Sequence, residues 1–153
     1  MSKNFIYKYL SEENLKSISE KIEEIEKITS GELVITIKEK RSWSEKSKSV
    51  RELAEKEFIS ANINKTKDAT GILIFIIIKA REFCILADKG INEKVKQSVW
   101  DDIAEDIKNN FKNEEYYNGI IKGIEQAGKI LLQHFPIKPG DVNELPNEVR
   151  ISD

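Results

Sequence analysis

Histidine and cysteine each occur once in this chain, as His134 and Cys84. That excludes a Cys/His zinc set and any intrachain disulfide. A Ser-His-Asp triad would have to recruit His134, which stands before Phe135-Pro136 at the end of a predicted helix. An imidazole there answers the helix dipole. Cys84 lies in an apolar stretch and reads as a buried, unreactive thiol. The glycines are scattered, and neither GxGxxG nor GxxxxGK followed by Ser or Thr occurs, so no phosphate-cradling loop is present. Neither sign of charge dominates. Lys+Arg is 25 and Asp+Glu is 27, a formal net charge of −2, which argues against a dedicated nucleic-acid binder. The longest apolar run, Ile72 to Ile78, is far short of the roughly 20 residues a membrane-crossing helix needs. The first residues, MSKNFIYKYLSEEN, turn acidic before any apolar segment forms. No leader or anchor is expected, and the cytoplasm is the expected location.

What is present is enough for one domain. The chain has 153 residues, 39% hydrophobic and 34% charged, as a soluble protein with a real core requires. Thr70 to Ile91 is its centre. Gly71 opens an Ile-rich run that turns at Lys79-Ala80, returns as Phe83 to Ala87 and ends in Asp88-Lys89-Gly90. β-Branched residues make the run a strand, and the return makes a hairpin. A strand apolar on both faces must be covered on both faces, so helices are expected above and below a small sheet.

The flanking segments supply those helices. Leu15, Ile18, Ile22 and Ile25 repeat at helical spacing after Ser11, a capping residue. The same spacing fits a coiled-coil seam, but two heptads are too few to stand alone. Glu32 to Lys38 alternates as a strand, one face better buried than the other, nearer the edge than Ile72–Ile78. Ser42 or Ser44 starts a helix along Val50, Leu53, Ala54, Phe58 and Ala61, with Glu57 its one polar member. Strand, helix and strand then form a right-handed parallel crossover. Asn92 caps a long helix through Val95, Val99, Ile103, Ile107 and Phe111. A last helix carries Tyr117, Ile120, Ile124 and Leu131 inward, with Gly119, Gly123 and Ala127 on one face for close approach to the sheet. All three prolines fall in residues 136–153. The predicted architecture is a three-layer α/β/α sandwich on a small mixed sheet with a central hairpin. It is one domain over residues 1–135, with a Pro-rich acidic tail over 136–153, partly docked.

Topology gathers one cluster. The parallel crossover and the hairpin bring the start of Glu32–Lys38, the start of Ile72–Ile78 and the end of Phe83–Ala87 to one sheet edge. Glu32, Asp68 and Asp88 should converge there. Three carboxylates among backbone carbonyls can make an oxygen-rich site for Ca2+ or Mg2+; alternatively they are solvated caps.

These residues resemble a known family. Thr29-Ser30-Gly31-Glu32 leading a strand, Thr70-Gly71 opening the central strand and Asp88-Lys89-Gly90-Ile91-Asn92 are similar to the TPM domain. So are Trp100, Phe111, Gly119 and Gly123 on the helices, and the closing His134-Phe135-Pro136 and Asp141 to Pro146. This is a family of thylakoid-lumen and bacterial proteins, and the likeness runs from about Leu15 to Ile151, closest to the soluble, stand-alone bacterial branch. Two positions depart. The family often has Asn-Gly at Thr70-Gly71 and Gly at Ala87, which narrows the backbone's freedom beside Asp88. The resemblance implies a Rossmann-like α/β/α fold, Ca2+ (Mg2+ second) in an acidic cleft with Asp88 first among the ligands and Asp68 and Glu32 beside it, and a role in protein interaction or assembly. The alternative is a metal-assisted phosphomonoesterase, for which no nucleophile or general acid is evident. A protein partner is expected, with no nucleic acid and no membrane span.

Overall fold

The computed structural model describes residues 3–152. A mixed sheet of four strands has the order β3-β2-β1-β4. Its strands are β1 (Glu32–Lys38), β2 (Gly71–Ile77), β3 (Glu82–Ala87) and β4 (Arg150–Ser152). β1 runs parallel to β2 and to β4, and β2 and β3 form the antiparallel hairpin. Five α-helices accompany them: α1 (Glu12–Glu26), α2 (Val50–Ser60), α3 (Lys89–Asn92), α4 (Gln97–Lys112) and α5 (Tyr116–His134). No helix among the described residues is long and apolar enough to cross a membrane.

The period of two along each strand divides the core. Leu33, Ile35, Ile37, Ile72, Ile74 and Ile76 pack under α1, α4 and α5. Val34, Leu73, Phe75 and Ile77 pack against Leu53, Ala54 and Phe58 of α2. The α/β/α layering therefore follows from the two-faced strand β2, buried throughout. β1 differs from expectation. It is buried on both faces up to Ile37 and lies inside the sheet. The tail supplies the neighbour that moves it inward, with Thr36, Ile37 and Lys38 in register with Arg150, Ile151 and Ser152. Glu57, the polar member of the α2 line, holds this seam. It accepts hydrogen bonds from Thr36 Oγ1 (2.6 Å) and Arg150 Nε (2.9 Å).

Helix starts follow their caps. Ser11 and Asn14 make a reciprocal capping box on α1, and the apolar line of that helix is spent on the core. α2 starts later than Ser42 or Ser44. Ser49 and Glu52 form its capping box, and Ser42 caps a short 3-10 turn, Trp43–Glu45. Asn92 does not cap the long helix either; it ends α3, which Asp88 caps, and α4 begins at Gln97. Gly119 and Gly123 admit a helix and not the sheet. A Cβ at Gly123 would lie 2.7 Å from Ile107 Cδ1, and one at Gly119 2.8 Å from Asn110 Cβ, so the small face of α5 receives α4.

Candidate functional site

The start of β1, the start of β2 and the end of β3 share one end of the sheet. Glu32 pairs with Gly71, and Ile72 with Ala87. Glu32, Asp68 and Asp88 thus belong to one edge, but their side chains do three different things.

Glu32 is turned inward and only 4% exposed. Its Oε1 accepts hydrogen bonds from the backbone N–H groups of Glu144 (2.8 Å) and Leu145 (2.6 Å) in the tail. Glu144 in turn accepts from the Lys67 N–H, 3.0 Å from its Oε2. Burial pushes the Glu32 carboxyl up to about 7 despite the two donors. Beside it stands Glu26, which the sequence reading passed over. Glu26 Oε2 accepts from the Leu33 N–H at 2.9 Å, while its Oε1 is buried with no partner among the described residues. Burial first, then repulsion from Glu32, pushes Glu26 up to about 8. One signal for it existed: Glu26 follows Ile22 by four residues and so shares its inward face.

Asp68 is half in solvent, with Lys138 Nζ 3.9 Å away. Asp88 closes the hairpin exit. Its N–H donates to Gly71 O (2.9 Å), and its Oδ1 accepts from the Lys89 N–H (2.8 Å). Asn92 Nδ2 donates to Ala87 O (2.9 Å), and Gln97 Nε2 to Ile85 O (2.8 Å). Gly90 fits here because a Cβ would fall 2.5 Å from Ala69 O and also on Asp68 O. Ala69 itself has φ 55°, a left-handed conformation uncommon for a residue with a side chain. Among the described residues no group of three or more His, Cys, Asp or Glu side chains is arranged to hold a metal ion. The carboxylates fit a three-ligand cation site poorly: Glu32 is committed to the tail, and Asp68 to the side facing Lys138.

An open cleft of about 300 Å3 lies next to Asp88, between α2 and β3. Phe58, Ile59 and Leu86 give it an apolar wall; Arg51, Glu55, Asp88, Asn92 and Gln97 give it polar groups. Ile59 is 58% exposed. Arg51 Nε lies 3.5 Å from Glu55 Oε2. The other singled-out residues stand apart from this cleft. Cys84 is half-buried, its thiol pushed up to about 11 by burial. The backbone carbonyl of His134 at the end of α5 accepts from Lys94 Nζ at 3.4 Å. The Thr29-Ser30 segment serves the fold: Ser30 N–H donates to Phe135 O (2.8 Å), and Thr70 Oγ1 donates to Ser30 O (3.0 Å).

A family model for the TPM domain matches residues 7–130. The chain belongs to the TPM domain family. The BA42 protein of the psychrophilic bacterium Bizionia argentinensis, solved by NMR, is 33% identical. Their alignment covers 93% of this chain and 94% of that one, with a TM-score of 0.82. The N-terminal domain of a P. gingivalis protein shares the fold at 15% identity and a TM-score of 0.69, over 85% of this chain and 83% of that one. No curated protein matches the chain. In this TPM domain the Thr-Ser-Gly-Glu stretch before β1 is a structural joint, and the Asp88 to Asn92 stretch borders the cleft.

Proposed function

We propose that this TPM domain acts by binding, and that the cleft beside Asp88 takes a segment of a partner protein. The observation carrying this reading is an exposed apolar side chain, Ile59, set over the buried Phe58 and Leu86 and bordered by the polar groups of Arg51, Glu55, Asn92 and Gln97. Apolar anchoring plus a few oriented polar groups is the usual composition of a recognition site. A photo-crosslinking residue placed at Ile59 tests it. A discrete adduct that disappears in Arg51→Glu, an exposed change on the cleft's rim, supports the reading. No discrete adduct, or one indifferent to Arg51→Glu, overturns it.

The second reading places Ca2+ at Asp88. Its support is local. Asp88 spends Oδ1 on the Lys89 N–H, which leaves Oδ2, and the Asp68 and Ala69 carbonyls crowd Gly90 close by. Oxygen ligands of this mixed kind suit Ca2+ better than Mg2+. An amide-resolved NMR titration with each cation decides. Saturable shifts at residues 68–71 and 88–92 that vanish in Asp88→Asn support the site, and unchanged spectra remove it. A metal-assisted phosphatase remains the alternative, tested by phosphomonoester turnover that Asp88→Asn abolishes.

A further inference from the structure

The opposite end of the sheet carries a feature the cleft does not use. Parallel pairing places the end of β1 beside the β2-β3 turn, about 20 Å along the strands from Glu32. After β1 the chain makes the 3-10 turn Trp43–Glu45, and Trp43 is 86% exposed. An indole in this position is unusual, because Trp is highly buried on average.

The loop that presents it is tightly held. Arg41 Nε donates to Lys48 O (2.9 Å) across the loop, and the Arg41 guanidinium grips Glu82 of the hairpin. The Ser42 N–H donates to buried Glu45 (2.9 Å), which also pairs with Lys38 at 3.4 Å. Lys79 of the turn pairs with Glu39 (3.2 Å). Trp43 is therefore the outer point of a braced loop. Glu45, Glu82 and Glu39 are each taken by one of these cations, while Glu52 in the first turn of α2 feels the charge of Lys48 without an ion pair. Lys40, Lys46, Lys48 and Arg81 are exposed and make no ion pair among the described residues.

We infer that this end of the domain docks on an anionic lipid surface, with Trp43 in the headgroup layer and the four unpaired cations above it. Trp and basic residues together are the usual membrane-interface combination. One observation favours lipid over a protein or a free polyanion. Ser42 and Ser44 flank the indole and no other large apolar residue of the described loop is exposed, so Trp43 lacks the apolar neighbours that form the core of a protein interface, whereas a headgroup layer accepts a single indole.

The test is partition of the full chain onto phosphatidylcholine vesicles with and without phosphatidylglycerol. Trp100 is fully buried, so a change in emission reports Trp43. The expected result is a blue shift and co-sedimentation only with phosphatidylglycerol present, weakened by salt. Trp43→Ala should abolish the shift and most of the sedimentation. Lys46→Ala with Lys48→Ala should lower partition at least about tenfold, from roughly fivefold per basic residue. These exposed substitutions leave the fold intact, which circular dichroism verifies. No shift with either vesicle overturns the inference, as does sedimentation retained in both variants. An equal shift with a single-stranded oligonucleotide or polyglutamate also overturns it, because the surface would then read charge alone.

Discussion

The two ends of the sheet treat their charges in opposite ways. At the Glu32 end, Glu26 and Glu32 are drawn inward and hydrogen-bonded to backbone N–H groups, and no cation neutralises either among the described residues. At the Trp43 end, Glu39, Glu45 and Glu82 each have a cation, further cations form no ion pair among the described residues, and an aromatic ring is left in solvent. The first arrangement spends ionisable groups on the fold; the second leaves them available. Residue type at a sheet edge is therefore weak guidance to function. What each group is already bonded to is stronger, because a committed carboxylate must release its donors before it can take a ligand.

The largest effect should come from breaking the Glu32 clasp. Glu32→Ala leaves the N–H groups of Glu144 and Leu145 without their acceptor and loosens the tail from β1. A loss of about 2–4 kcal/mol is expected in urea denaturation, with faster proteolysis beyond residue 136. Glu32→Gln keeps an acceptor oxygen and should cost under about 1 kcal/mol. Equal losses in both variants would mean the clasp depends on charge.

Next comes pH. Glu26 and Glu32 start near 4.5 unfolded and stand at about 8 and about 7 in the fold. The folded state therefore holds extra protons between those limits. Their contribution is full below pH 4.5 and is lost as pH rises through 7 to 8. Stability should fall steadily as pH rises across that window. The Trp43 end works the other way. Arg41 holds Glu82 below the usual carboxylate range, so its share is present above that range and lost in acid. Denaturation midpoints at several pH values should peak on the mildly acidic side. Glu26→Gln should flatten the fall between pH 4.5 and 8, and an unaltered slope would remove Glu26 as its source.

The contrast between the ends was only partly visible in the residues. The β2-β3 hairpin and the parallel crossover were legible because β-branched runs and turn residues encode them locally. β4 was not, since Arg150-Ile151-Ser152 is too short to read as a strand until β1 offers an edge. Several serines before α2 competed as caps, and Ser49 prevailed because Glu52 completes its box. The shared edge of Glu32, Asp68 and Asp88 followed from topology, but the use of each did not. The partner of Glu32 is tail backbone more than a hundred residues away, which no local pattern records. Trp43 had no legible role, because exposure is a property of the folded chain.

A smaller effect is expected at Asp88. Asp88→Ala removes the acceptor for the Lys89 N–H at the start of a four-residue helix. Loss of a cap costs about 1 kcal/mol. The backbone hydrogen bond from Asp88 N–H to Gly71 O survives, so the hairpin exit should hold. Thermal unfolding gives the cost, and amide exchange at residues 89–92 locates it. Protection lost across β3 as well would show that Asp88 organises the whole edge.

The smallest effect sharpens the comparison most. Trp43→Ala should change stability by less than about 0.5 kcal/mol, because a ring this exposed loses almost no buried surface. Trp100, on α4 and fully buried in the core, should cost about 3–5 kcal/mol when cut to Ala. If Trp43→Ala proves as costly as a core deletion, the ring packs in solution, and the Trp43 end would be as self-contained as the Glu32 end. If the pair splits as expected, the bracing around Trp43 serves something outside the domain. Ion pairs and a capped turn that fix an indole in water contribute little through that indole to folding, so the selective reason for the arrangement must lie in what the ring meets.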